Sequence, residues 1–146
     1  MGFPEAIKLF FSNYVQFNGR SRRSEFWWPW LLHIIVIFPT LGLGVVMLES
    51  SSGDANALAI ILVSLGALYF LAVFIPNISL SVRRLHDLNL TGWIYLGLVI
   101  VGYIPIVGII SNIAMIVIGV VPGTKGPNKY GSDPKNPDGD IIDVFE

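Results

Sequence analysis

Three long uncharged runs divide the chain. The first, Phe26 to Leu48, has 23 residues and holds His33 as its one potentially charged side chain. The second, Ala57 to Val82, has 26 residues, and the third, Trp93 to Val121, has 29, all uncharged. About 20 apolar residues in a helix cross the roughly 30 Å hydrocarbon core of a bilayer. In lipid every backbone amide needs a partner within the protein, so helices are the predicted form. The pattern predicts an all-α integral membrane protein with full transmembrane helices over 26–48 and 57–82.

The third run admits two forms. Its middle reads Gly102-Tyr103-Ile104-Pro105-Ile106-Val107-Gly108, and proline removes a backbone donor while glycine loosens a helix. It is either one tilted, kinked span or a hairpin of two short helices, giving three or four transmembrane helices in all. Each half would have about 14 residues, or roughly 21 Å, short of a full crossing. Ahead of run one, Phe3, Ile7, Phe10, Phe11 and Tyr14 recur at helical spacing. They predict an amphipathic helix in the headgroup plane. Residues 1–134 read as a single polytopic membrane domain. Residues 135–146 read as a mobile, acidic C-terminal tail.

Composition agrees with a bilayer. Hydrophobic residues make up 53% of the 146 and charged ones 13%, against roughly 25% charged in soluble chains. The first 25 residues lack a short apolar core with a small-residue cleavage site, so run one is expected to act as an uncleaved signal anchor. The absence of cysteine excludes disulfides, thiolate metal sites and cysteine catalysis. Net charge is −1, which gives no field for nucleic acid.

The positions of the charges carry more than their sum. All nine Lys and Arg residues lie before run one (Lys8, Arg20, Arg22, Arg23), after run two (Arg83, Arg84) or after run three (Lys125, Lys129, Lys135). The loop Glu49 to Asn56 holds two acids and no base. Positive loops stay inside, so the N-terminus and the Arg83–Arg84 loop are expected in the cytosol. The three lysines of the tail favour the hairpin, with a cytosolic C-terminus.

Three blocks between the runs look familiar. They are Asn13-Tyr14-Val15-Gln16-Phe17-Asn18-Gly19-Arg20-Ser21-Arg22-Arg23-Ser24-Glu25-Phe26-Trp27, then Arg83-Arg84-Leu85-His86-Asp87 with Thr91-Gly92-Trp93, then Gly126-Pro127-Asn128-Lys129-Tyr130-Gly131-Ser132-Asp133-Pro134. In this order they resemble the YhaH-like small bacterial inner-membrane proteins, domain-of-unknown-function family 805. The resemblance implies a bacterial inner-membrane location and brings no activity, cofactor or catalytic residue. It marks Glu25, Trp27, His86, Asp87, Trp93, Asn128 and Tyr130 as motif residues. Ile94 departs from the second aromatic that usually follows the tryptophan at the position of Trp93.

The candidate site is the arginine set Arg20, Arg22, Arg23, Arg83 and Arg84. Lysine would satisfy topology equally well, whereas arginine adds a planar fork that binds phosphate or carboxylate through two bonds. One reading is a site for anionic lipid headgroups or a partner protein. The other is internal bracing, with Glu25 and Asp87 as partners and Asp87 paired to Arg83 one turn back. His86-Asp87 invites an interfacial enzyme, although neighbours on a helix point apart. His33 invites a functional role at membrane depth, or a structural bond to Ser64 or Asn77. Asn77, Ser81 and Arg84 share one helix face, which fits a vestibule of an oligomeric transporter or channel subunit, or helix–helix hydrogen bonding. Gly42, Gly44, Gly66, Gly97, Gly102 and Gly108 read as close-packing sites. Asp138-Gly139-Asp140 does not fit a calcium loop, and no motif predicts a cofactor or metal. The expected protein is non-enzymatic, its partner the bilayer, with anionic phospholipid, a protein partner or a homo-oligomer open.

Overall fold

A computed structural model describes residues 1–50 and 55–136. The centre of the acidic loop and nearly all of the expected mobile tail, including Asp138-Gly139-Asp140, lie outside the described residues. Regular structure among the described residues is helical. Helix α1 is Phe3–Ser12, and α2 is Arg23–Ile37, which runs through a π-helical stretch, Phe38–Leu43, into α3, Gly44–Ser50. Helix α4 is Ala55–Asp87, α5 is Trp93–Gly102 and α6 is Val107–Val120. Two helical stretches, Arg23–Ser50 and Ala57–Asp87, are long and apolar enough to cross a membrane.

The π stretch was not predicted, and Pro39 supplies its cause. Proline has no N–H and crowds the carbonyl four residues back, so the turn widens. Within the same stretch Thr40 Oγ1 donates to the Val36 carbonyl at 2.6 Å. Beyond it, α3 closes on α4 through two glycines. A Cβ on Gly44 would fall 2.8 Å from a Val63 methyl, and one on Gly66 would fall 2.6 Å from a Leu41 methyl. Gly42 and Gly97 face open space instead, so they are not packing sites. A Cβ on Gly102 would meet only Ser111, at 4.0 Å.

Helix α4 continues five residues past its uncharged run and carries Arg83, Arg84, His86 and Asp87 on its last turns. Two residues past its end, Asn89 sits in the left-handed region at φ 60. Asparagine tolerates that cap position well, and the chain turns there into α5.

The third run is broken in two. Helices α5 and α6, roughly 15 and 21 Å long, pack on one another as a hairpin. The bend at Tyr103–Ile106 is tight, with Gly108 N–H donating to the Ile104 carbonyl at 2.7 Å and Ile106 at φ 71. A Cβ on Gly108 would lie 2.4 Å from the Gly102 carbonyl oxygen, which sets glycine there. The hairpin returns the chain to the end of α4 that bears the arginines.

Helix α1 does more than present an amphipathic face. Its Ala6 and Phe10 are fully buried, with Phe10 edge-on to His33 and Phe3 edge-on to Trp28 of α2. Phe10 joins Phe26, Val73 and Leu80 in the core. The glycine contrast is testable. Gly108→Val should destabilise the protein by about 1–3 kcal/mol through overpacking at the bend, whereas Gly97→Ala should leave its melting temperature in detergent unchanged or raised.

Candidate functional site

An α-helix leaves its last four carbonyls without intrahelical partners. At the end of α6 all four are taken by side chains from other elements. Arg84 Nε donates to the Ile118 carbonyl at 2.9 Å, Trp27 Nε1 to Gly119 at 3.1 Å and Arg23 Nη1 to Val120 at 3.2 Å. Arg84 Nη2 takes the fourth, Val121. Two cations at a helix C-terminus also complement its dipole. Trp27 reaches its acceptor because Gly119 lets the ring come close to α6; a Cβ there would meet the Phe26 and Trp27 rings at 2.8 and 3.1 Å.

The same layer contains a buried ion cluster. Asp87 takes Arg20 on one carboxylate oxygen at 2.9 Å and Arg84 on the other at 2.5 Å. Arg84 is fully buried, Arg20 and Asp87 nearly so. Arg20 also donates to the carbonyls of Thr124, at 2.5 Å, and Gly126, at 2.7 Å. Arg84 reaches the Ser21 carbonyl at 3.3 Å. Residue 123 must be glycine, because a Cβ there would overlap the Asp87 carboxylate. Arg83 turns the other way and pairs with Glu25 at 2.5 Å. The expected Asp87–Arg83 pair is therefore replaced by Asp87–Arg84, at i,i+3, and Arg83–Glu25. Arg83 Nε and Nη2 are enclosed with no hydrogen-bond partner among the described residues.

The two remaining arginines sit on the margin. Arg22 is half-buried, with Nε donating to the Pro134 carbonyl at 2.5 Å, and Arg23 is exposed.

The segment after α6 closes the layer. Thr124 N–H donates to the Asp87 carbonyl at 2.9 Å, and Asn128 Nδ2 donates to the His86 carbonyl at 3.0 Å. A tight turn, Asn128 to Gly131, with Gly131 at φ 135, lays the Tyr130 ring on His86. The two rings stack with centroids 3.8 Å apart and planes 5° from parallel. His86 Nδ1 donates to the Gly19 carbonyl at 3.2 Å. Asp133 accepts from the Gly126 and Lys135 amides on either side of the turn; the Lys135 amide chiefly holds its carboxyl below the usual range.

Eleven of the twelve residues singled out in the sequence thus meet in one layer. Trp93 does not. It is 76% exposed and lines a cavity beside α5 that reaches the layer only at His86 and Tyr130. Sequence reading missed Gly119, Gly123, Thr124 and Ser79, whose hydroxyl donates to the Asn13 and Gln16 carbonyls at 3.1 and 2.5 Å. Their role is fit and bonding to backbone, Gly119 and Ser79 within helices and Gly123 and Thr124 after α6, which a small residue does not announce.

Deeper along α4, His33 bridges two partners. Its Nε2 donates to Asn77 Oδ1 at 3.0 Å, and its Nδ1 accepts from the Tyr69 hydroxyl at 2.8 Å. Asn77, expected as a partner, is one of them, and Ser64 is not. A cavity of about 370 Å³ lies beside this trio, lined by Asn77, Ser81, Tyr95 and Asn112 among aromatic side chains. Among the described residues no group of three His, Asp or Glu side chains could hold a metal ion.

A family model described as a protein of unknown function (DUF805) matches residues 14–132, the stretch that holds every member of this layer up to the turn. The chain belongs to that family. It is 36% identical to the inner membrane protein YhaI of Escherichia coli K12 over 124 residues, covering 84% of this chain and 89% of the relative. It is also 36% identical to the inner membrane protein YhaH of the same strain over 123 residues, 84% and 90% of the two chains. No solved structure matches.

The cluster's worth is testable. Asp87→Ala strands two buried guanidinium groups and should cost about 3–5 kcal/mol, read as a loss of thermal stability in detergent. Lys125→Ala, on the exposed surface, should change little.

Proposed function

We propose that this is a non-enzymatic protein of the bacterial inner membrane, with its N-terminus and its C-terminal segment in the cytosol, whose basic layer binds anionic phospholipid at its margin. The observation that carries this reading is the division of the arginines. Arg20, Arg83 and Arg84 are buried and brace the layer, while Arg22 and Arg23 stand at its edge, where the apolar helices begin. A guanidinium at that depth meets headgroup phosphate with a planar fork. Helix α1, beside it, offers Lys8 on an exposed position, in keeping with a helix in the headgroup plane. The location follows the names of the two E. coli relatives together with two apolar helices of spanning length.

The other readings gain less. Catalysis by His86 and Asp87 would need a free carboxylate, yet Arg20 and Arg84 occupy both oxygens of Asp87. Transport would need polar groups open to a path, whereas His33, Tyr69 and Asn77 satisfy one another.

The test is native mass spectrometry of the protein released gently from bilayers holding equal phosphatidylglycerol and phosphatidylcholine. Phosphatidylglycerol should remain bound in excess, and Arg22→Ala with Arg23→Ala should remove that excess while phosphatidylcholine retention holds, the melting temperature falling only as far as the lost bonds to the Pro134 and Val120 carbonyls require. Equal retention of both lipids by the unaltered protein would refute the reading.

A further inference from the structure

Helices α4 and α5 diverge from the turn at Asn89 and leave a cavity of about 720 Å³ between them. Its size lies within the roughly 300–1,000 Å³ of ligand-binding cavities. The walls are apolar for most of its length, formed by Ile78 and Val82 of α4 and by Trp93, Leu96 and Val99 of α5. Trp93 and Leu96 are exposed, so one side opens where lipid would surround the helices.

The far end is different. There the cavity meets His86 and Tyr130, and Lys129 Nζ lies 5.0 Å from the centre of the Tyr130 ring. His86 gives its Nδ1 proton to the Gly19 carbonyl, which leaves Nε2 with a lone pair. That nitrogen has no hydrogen-bond partner among the described residues, and it faces Gly92. A Cβ on Gly92 would stand 3.4 Å from Nε2 and 2.6 Å from a Val82 methyl, so the glycine keeps the nitrogen open and the cavity wide. No acidic residue lines the cavity, and the nearby Asp87 is held between two arginines. Lys129, against the Tyr130 ring, therefore brings positive charge near a mouth that offers a hydrogen-bond acceptor and has no acidic lining residue, above a slot of hydrocarbon character.

We propose that this cavity holds an acyl chain of an anionic phospholipid, with the phosphate at Lys129 and a headgroup hydroxyl on His86 Nε2. The charge at the mouth and the apolar depth match the two ends of such a molecule. The site is distinct from the arginine margin, resting only on the placement of the chain in a bilayer with its polar layer at the headgroups. It also gives Trp93 and Gly92 a role that the ion cluster does not: they shape the slot.

The full-length protein in nanodiscs of phosphatidylcholine, with trace phosphatidylglycerol carrying a photoreactive diazirine on its acyl chain, tests this. After irradiation, peptide mapping should place adducts mainly at Ile78, Val82, Leu96 and Val99. Added phosphatidylglycerol should compete, and added phosphatidylcholine should not. Leu96→Trp, which fills the slot, and Lys129→Glu, an exposed change that spares the fold, should each lower cavity labelling several-fold. Arg22→Ala with Arg23→Ala should leave it intact, so that this site and the margin can fail separately. Adducts spread evenly over all helices, competition by both lipids alike, or labelling indifferent to Leu96→Trp and Lys129→Glu would overturn the proposal.

Discussion

The end of α6 is the point on which the structure turns. A helix that stops at a membrane surface leaves four carbonyls facing outward, and a helix of 14 residues cannot carry them far from lipid. Here they are met by Arg84, Trp27 and Arg23, drawn from two other helices. Because the donors come from α2 and α4, capping α6 also fixes where the hairpin stands. Arginine suits this task because one guanidinium offers five donors in a fixed plane. Arg84 uses them on two carbonyls of α6, on Ser21 and on Asp87. A lysine ammonium has three donors and no fork.

Charge balance follows from the same contacts. Asp87 is one carboxylate between two buried guanidinium groups, and the excess positive charge is spread over carbonyls of α6 and the segment after it. Such a cluster gains little over a well-packed apolar core, but removing one member is costly. It acts as a lock among three segments that lie far apart in sequence. The outward margin, with Arg22 and Arg23, and the slot between α4 and α5 are then surfaces that the lock holds in place.

Much of this was legible in the residues. The uncharged runs gave the long helices, and Pro105 with its flanking glycines gave the break in the third. Bracing by Glu25 and Asp87 was foreseen as one of two readings. The pairing was not, because Asp87 can reach either Arg83 or Arg84 by helical spacing, and contacts with Arg20 and α6 decide between them. Glycine gave a weaker signal: Gly44, Gly66 and Gly108 are tightly packed, yet Gly42 and Gly97 face open space. The sequence reading did not foresee that the arginines' chief acceptors would be backbone carbonyls. Peptide oxygens are the same at every position, so no residue type points to them.

The central claim is that the N-terminal block, the end of α4 and the segment after α6 share one face of the membrane. The chain has no cysteine, so single cysteines placed at Ser12 and Ser132, both exposed, report on that face without background. A membrane-impermeant maleimide applied to intact cells should label neither, and both should label after lysis. Labelling at Ser132 alone in intact cells would put the third block on the opposite face, and the shared layer could not exist.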